Sequence, residues 1–148
     1  HESRGLGDVY KRQVLQDPTE QGLRKILNFG HTLGHAVESY FLENQEKETL
    51  LHGEAIAIGM ILEGYLSHKL TGLSIDELED IKITFLSHYN KVIFKKQDVE
   101  QIQGLMKYDK KNAHGRINFV LLKCIGEAQI DVIVPSELIT EAFAYYAQ

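Results

Sequence analysis

Between residues 20 and 42, Ile26, Phe29, Leu33, Ala36, Val37 and Tyr40 recur at helical spacing, while Arg24, Asn28, His31, His35 and Glu38 follow one another at offsets of 4, 3, 4 and 3. At about 100° per residue the second set falls within a band roughly 80° wide on the side opposite the apolar one, so the segment is predicted as one amphipathic helix. Residues 50–62 follow a different rule. Leu50-Leu51-His52-Gly53-Glu54-Ala55-Ile56-Ala57-Ile58-Gly59-Met60-Ile61-Leu62 is apolar on nearly every side. A helix with no face to give to water belongs in a core. It is too short to cross a bilayer, because Glu54 and Glu63 leave eight uninterrupted apolar or glycine residues between them, against about 20 required.

The pattern stays mainly helical downstream. Thr71-Gly72-Leu73 punctuates, and Ser74-Ile75-Asp76-Glu77 reads as a capping box that opens a helix running to about His88. Residues 90–96 are predicted as a loop. Asp98 is the expected N-cap of a helix through Met106 or Tyr108, which gives way to the polar run 108–115. Residues 116–123 and 128–134 are rich in β-formers and flank 124–127, which predicts a short hairpin. Pro135-Ser136-Glu137 then starts a terminal helix with Leu138, Ile139, Phe143 and Tyr146 directed inward. Residues 1–13 carry few apolar residues and no periodicity, and the chain begins with His1. We expect them to be a fragment end or a non-native segment, and the chain to be a piece of a longer protein. The predicted fold class is mainly α, a single helical domain over residues 14–148 with one small β-hairpin.

Composition narrows the setting. With 148 residues and 43% hydrophobic content the chain can build one real core. A net charge of −5 argues against nucleic acid as a partner; Lys95-Lys96 and the lysines within 107–111 are short runs on an acidic background. The single cysteine, Cys124, excludes an internal disulfide and fits a reducing cytoplasm. No targeting or membrane-spanning segment is expected, so the predicted location is cytoplasmic.

The chemistry concentrates on the first two helices. A guanidinium, an amide, two imidazoles one turn apart and a carboxylate stand where a solvated face would ordinarily carry lysines. Such a set can grip an anionic ligand and a metal ion, although a plain surface stripe would show the same spacing. Gly30 and Gly34 lie beside it; each costs a helix interior about 1 kcal/mol relative to alanine, which points to close approach of another backbone or a ligand. His52 opens the apolar helix, where the positive end of the dipole disfavours the imidazolium and leaves the neutral form that ligates metals. Glu63 lies on the same side of that helix as His52, three turns on, and a carboxylate so deep in an apolar helix needs a partner or a function. The zinc-protease pattern fails because Thr32, not glutamate, follows His31. Neither helix supplies the Glu-x-x-His of a di-iron bundle, and no glycine-rich phosphate loop occurs. A catalytic zinc held by His31 and His52 would still need another protein ligand.

These residues carry a resemblance. Leu23-Arg24-x-x-Leu27-Asn28-Phe29-Gly30-His31-Thr32-Leu33-Gly34-His35-Ala36-x-Glu38, then His52-Gly53-Glu54-Ala55-x-Ala57-x-Gly59-Met60, and later Asp109-Lys110-Lys111 with Ile125-Gly126, resemble the C-terminal domain of 3-dehydroquinate synthases. The likeness implies the C-terminal half of that fold, a helical metal- and substrate-binding domain that follows an N-terminal NAD-binding domain absent from this chain. It implies a phosphorus–oxygen lyase of the shikimate pathway, homodimeric at full length, that turns 3-deoxy-D-arabino-heptulosonate 7-phosphate into 3-dehydroquinate and phosphate by transient oxidation at C5, elimination, re-reduction and aldol closure. By position His31 and His52 match two ligands of a divalent metal, zinc or cobalt, whose third ligand is a glutamate of the missing domain. Arg24 matches a residue that holds the substrate carboxylate. Asn28 and His35 match substrate contacts, with His35 also a candidate proton relay, and Lys110 or Lys111 matches a catalytic lysine that meets the anionic substrate. Glu38 would orient a histidine or support the helix. The polar connection within 41–51 is expected to form a longer surface loop. Within the same fold, the alternatives are another sugar phosphate cyclase or a glycerol-dehydrogenase-like metal-dependent alcohol dehydrogenase; outside it, a non-catalytic helical domain that binds an anion or a partner. The isolated chain is expected to be inactive.

Overall fold

A computed structural model describes residues 28–44 and 46–148. Within them the chain forms α1 (His31–Glu43), α2 (His52–Leu70), α3 (Ile75–His88), α4 (Lys96–Asn112), β1 (Phe119–Cys124), β2 (Glu127–Val132) and α5 (Ser136–Ala147). The mainly helical fold with one hairpin is the predicted one. No helix among the described residues is long and apolar enough to cross a membrane. The predicted segment 1–13 and the first half of the amphipathic stretch lie outside the described residues.

The centre of the domain is α2, which packs against α1, α3, α5 and β1. Its sequence explains the position: Ala55, Ala57, Ile58, Ile61, Leu62 and Leu66 are buried on successive faces. Each large aliphatic side chain among them contributes about 1.5–3 kcal/mol by leaving water. Around it, α1 contributes Leu33, Ala36, Val37 and Tyr40, α3 contributes Leu78 and Ile81, α4 contributes Ile102 and Met106, and α5 contributes Ile139, Phe143 and Tyr146.

Helix boundaries follow local chemistry. Ser74 Oγ accepts the Glu77 N–H at 3.1 Å and opens α3. Glu77 also accepts the Ile125 N–H at 2.8 Å, which ties the hairpin turn to that helix. The turn is Ile125-Gly126, tighter than the predicted four residues, with Gly126 at φ 96° and register shifts in the ladder on its strand side. Asp98 does not cap α4 as predicted. The helix begins three residues earlier, at Lys96, Lys95 takes the cap position, and Asp98 reaches back to accept the Lys95 N–H at 2.7 Å. The polar run 108–112 continues α4 for another turn instead of ending it at Tyr108. Lys110 and Lys111 there face the negative end of the helix dipole, which favours cations.

The predicted continuous helix over 20–42 is also corrected. Gly30 sits at φ 85°, a left-handed conformation, and α1 starts only at His31. Periodicity cannot register a single residue that turns the chain without changing the spacing of apolar positions. The reason for the turn lies across the interface. A Cβ on Gly59 would stand 2.0 Å from Gly30 O and 2.7 Å from Gly34 N, so α1 and α2 touch backbone to backbone at this point. The close approach expected from Gly30 and Gly34 is therefore to α2.

Asp98 joins a second junction. It accepts from the Tyr40 hydroxyl and pairs with Lys47 at 2.9 Å, which pins the connection between α1 and α2 onto the start of α4. Burial pushes its carboxyl up, but the Tyr40 hydroxyl, the Lys95 N–H and the Lys47 ammonium more than offset this and hold it below the usual carboxylate range. At the other end of the domain Lys82, buried, donates to Tyr145 O at 2.7 Å and lies 4.2 Å from the Tyr145 ring centre. Lys91 donates to Ala147 O at 2.8 Å, so two cations hold the C-terminal carbonyls of α5.

Candidate metal and substrate site

The second turn of α1 lies beside the first turn of α2, which brings three histidines from two sequence regions together. His31 and His35 have ring centres 5.4 Å apart at nearly right angles, and His35 and His52 are 6.0 Å apart. Glu38, one turn along α1, reaches across to His52: Nδ1 lies 3.0 and 3.1 Å from its two carboxylate oxygens. An ionised carboxylate only accepts, so Nδ1 is the donor in this contact, and in the neutral ring Nε2 then carries the lone pair. His35 Nδ1 is 3.7 Å from the same carboxylate.

His31 is the least exposed of the three, and its imidazole is held below its ordinary pKa by burial first and then by repulsion from His35 and His52. Neutral imidazoles with free ring nitrogens are the donor chemistry a divalent metal requires. Among the described residues no group of three or more His, Cys, Asp or Glu side chains is arranged to hold a metal ion. His31 and His52 are thus two candidate donors, and the described residues by themselves complete no metal set.

Beside the histidines lies a cavity of about 460 Å³ lined by Asn28, His31, Thr32, His35, Asn118, Val120 and Asp131. Thus the hairpin forms one wall and the N-terminal end of α1 the other. Asn118 and Asp131 were not singled out from the sequence. Asp131 adopts φ 56°, a left-handed conformation that Asn and Asp tolerate best, and an aspartate inside a β-forming run was the available signal.

Other predicted residues fall elsewhere. Arg24 lies outside the described residues. Lys110 lines a separate cavity of about 580 Å³ together with Lys107, Arg116 and apolar side chains such as Met106 and Phe119. Lys111 is exposed and does not line that cavity. Within the described residues, then, Asn28, His31 and His35 line one cavity and His52 lies against His35, while Lys110 lines another cavity.

Glu63 is fully buried, and its role is visible at the start of α1. Its Oε1 accepts the Gly30 N–H and its Oε2 the Leu33 N–H, each at 2.9 Å. Burial pushes its carboxyl up to about 8, against the pull of the N–H groups of Leu33, Gly30 and Thr32.

A family model for the C-terminal domain of 3-dehydroquinate synthase matches residues 8–112. The chain belongs to that family. It is 43% identical over 140 residues to the 3-dehydroquinate synthase of Parabacteroides distasonis, covering 95% of this chain and 39% of the relative. Against the 3-dehydroquinate synthase of Picrophilus torridus the identity is 39% over 117 residues, 79% of this chain and 33% of the relative. The chain thus spans a little over a third of the length of these curated relatives. Among solved structures it is similar in fold to ValA, a 2-epi-5-epi-valiolone synthase from Streptomyces hygroscopicus solved with NAD+ and Zn2+ bound. The TM-score is 0.67 at 24% identity, over 91% of this chain and 36% of that one. As a 3-dehydroquinate synthase C-terminal domain, the chain carries its Asn28, His31, His35, Glu38 and His52 inside the matched span.

Proposed function

We propose that this chain is the C-terminal part of an enzyme converting 3-deoxy-D-arabino-heptulosonate 7-phosphate to 3-dehydroquinate and phosphate, a step of aromatic amino acid biosynthesis. In it the chain supplies two metal ligands and part of the substrate site. The observation that supports this reading best is the meeting of His31, His35 and His52, the first two lining a cavity with Asn28, and Glu38 set behind His52.

His31 and His52 would hold zinc or cobalt, with the remaining ligand and the NAD site on an N-terminal domain. The bound ion supplies Lewis acidity, which lowers the cost of taking a proton from a substrate hydroxyl. Glu38 keeps the His52 ring in one orientation and one tautomer, as carboxylates behind metal-bound histidines commonly do. His35 is more than half exposed beside the cavity, so its imidazole can accept a proton from substrate and return it. Asn28 offers an amide to substrate oxygens, and Arg24 a planar fork for the substrate carboxylate. Lys110 or Lys111 would meet the anionic substrate from outside this cluster.

The test is release of inorganic phosphate from the heptulosonate phosphate, measured for the full-length protein and for this chain alone. The full-length protein, supplied with NAD and zinc, releases phosphate and the chain alone does not. Release by the chain alone, or none by the full-length protein, overturns the reading.

A further inference from the structure

We propose that Glu63 is a positioning residue for His31: it caps the helix that carries the histidine and so sets how tightly the metal is held. The inference rests on the reading of His31 as a metal ligand and goes beyond it by naming what fixes that ligand. Residues at the start of an α-helix have N–H groups without intrahelical partners, which a side chain at the cap ordinarily satisfies. In α1 the cap position is Gly30, which has no side chain to offer, and the first turn contains no acidic residue. Glu63 supplies both from another helix. One oxygen takes the Gly30 N–H and the other the Leu33 N–H, so the two bonds bracket His31 in the chain.

The carboxylate itself has little freedom. It is fully buried, and α2 cannot shift relative to α1 because Gly59 already lies against Gly30 O and Gly34. One turn further on, Ser67 Oγ donates to Glu63 O at 2.7 Å and accepts the Leu122 N–H at 2.8 Å, which locks that part of α2 to β1. Carboxyl, helix end and strand thus form one buried polar chain ending at the N–H groups of Gly30 and Leu33, on either side of His31. Removing the Glu63 carboxyl releases the Gly30 and Leu33 N–H groups and, with them, the direction in which His31 leaves the helix.

The experiment measures Zn2+ affinity by competition with a chromophoric chelator, in the full-length protein and in three variants, with urea unfolding measured on each. Glu63→Gln keeps the shape but turns an amide NH2 toward one of the N–H donors; about a tenfold weaker affinity is expected, the scale seen when groups supporting a metal ligand are changed. Ser67→Ala removes a buried bond of the same network away from His31 and should lower stability while Zn2+ affinity stays within twofold of the parent. His31→Ala checks the underlying reading and should lose Zn2+ binding. If His31→Ala binds Zn2+ as the parent does, the metal reading fails. If His31→Ala loses Zn2+ while Glu63→Gln binds it as tightly as the parent, the positioning role alone fails. A loss of affinity in Ser67→Ala equal to that in Glu63→Gln also overturns it, because loss of stability would then account for both. Should Glu63→Gln not fold, Glu63→Asp, which keeps the carboxyl but is too short to reach both N–H groups, takes its place with the same expected weakening and the same overturning result.

Discussion

Gly59→Ala tests the contact on which the site's geometry depends. The added Cβ would stand 2.0 Å from Gly30 O, 2.7 Å from Gly34 N and 2.8 Å from Gly34 Cα, all of them backbone atoms that cannot rotate away. Carbon and oxygen ordinarily approach to about 3.3 Å at closest, so α1 and α2 would have to part by roughly 1 Å at this point. Overpacking of this kind costs about 1–3 kcal/mol, and the upper end applies where no side chain can yield. Weakening the Gly30 N–H bond to Glu63 adds to the cost, since a typical intramolecular hydrogen bond contributes about 0.5–1.5 kcal/mol. Against this, alanine gains about 1 kcal/mol over glycine in a helix interior. The balance is a destabilisation of about 2 kcal/mol or more. Gly104→Ala, in α4 with nothing within 4 Å of its Cβ position, collects the helix-propensity gain with no clash and should stabilise by up to about 1 kcal/mol. Urea unfolding followed by circular dichroism should therefore move the two midpoints in opposite directions. With a slope of about 1.5 kcal/mol per molar, Gly59→Ala falls by more than about 1 M and Gly104→Ala rises by about 0.5 M. A Gly59→Ala midpoint at or above the parent value would refute the backbone contact between the helices.

The other expectations concern charge and ligand orientation. Asp98 has a depressed pKa in the folded chain, so its contribution is present above the unfolded value and is lost as pH falls through the folded one. Asp98→Asn should cost about 2 kcal/mol at neutral pH, and in urea titrations the gap from the parent should close on acidification below about pH 4; a gap that stays constant with pH would contradict the assignment. Glu63 works with the opposite sign: its carboxyl, raised to about 8, contributes stability below the unfolded value that is lost as pH rises toward 8. Glu38→Ala should weaken Zn2+ binding by the full-length protein about tenfold by freeing the His52 ring, read by chelator competition; unchanged affinity would show that the Nδ1 contact does not orient a ligand.

Much of this domain was legible in the sequence, for reasons particular to each element. α2 was plain because apolar residues on all sides leave a helix nowhere to go but the core, and α3 because Ser74 and Glu77 form a local cap whose partners are three residues apart. The hairpin and α5 followed from β-forming runs and from Pro135. What escaped was set by contacts distant in sequence. The break at Gly30 depends on Gly59, and neither residue alters the apolar period. Glu63 was recognisable as a carboxylate in need of a partner, but that partner is the backbone of Gly30 and Leu33, which no side-chain pattern encodes. Asp98 was placed at the cap when it reaches back from inside the helix, a three-residue displacement in which the same carboxylate still satisfies an N–H of the N-terminus. The pairing of Glu38 with His52 joined two motifs that sequence reading had placed in one site, and only the structure showed which atoms meet.

The central claim is that His31 and His52 are metal ligands supplied by this domain to a site completed elsewhere. Its most direct measurement is the zinc or cobalt content per subunit, by elemental analysis, of the full-length protein and its His31→Ala and His52→Ala variants after dialysis against metal-free buffer. The account predicts bound metal in the parent and its loss in both variants, with the fold retained by circular dichroism. Parent-level metal in either variant would contradict it.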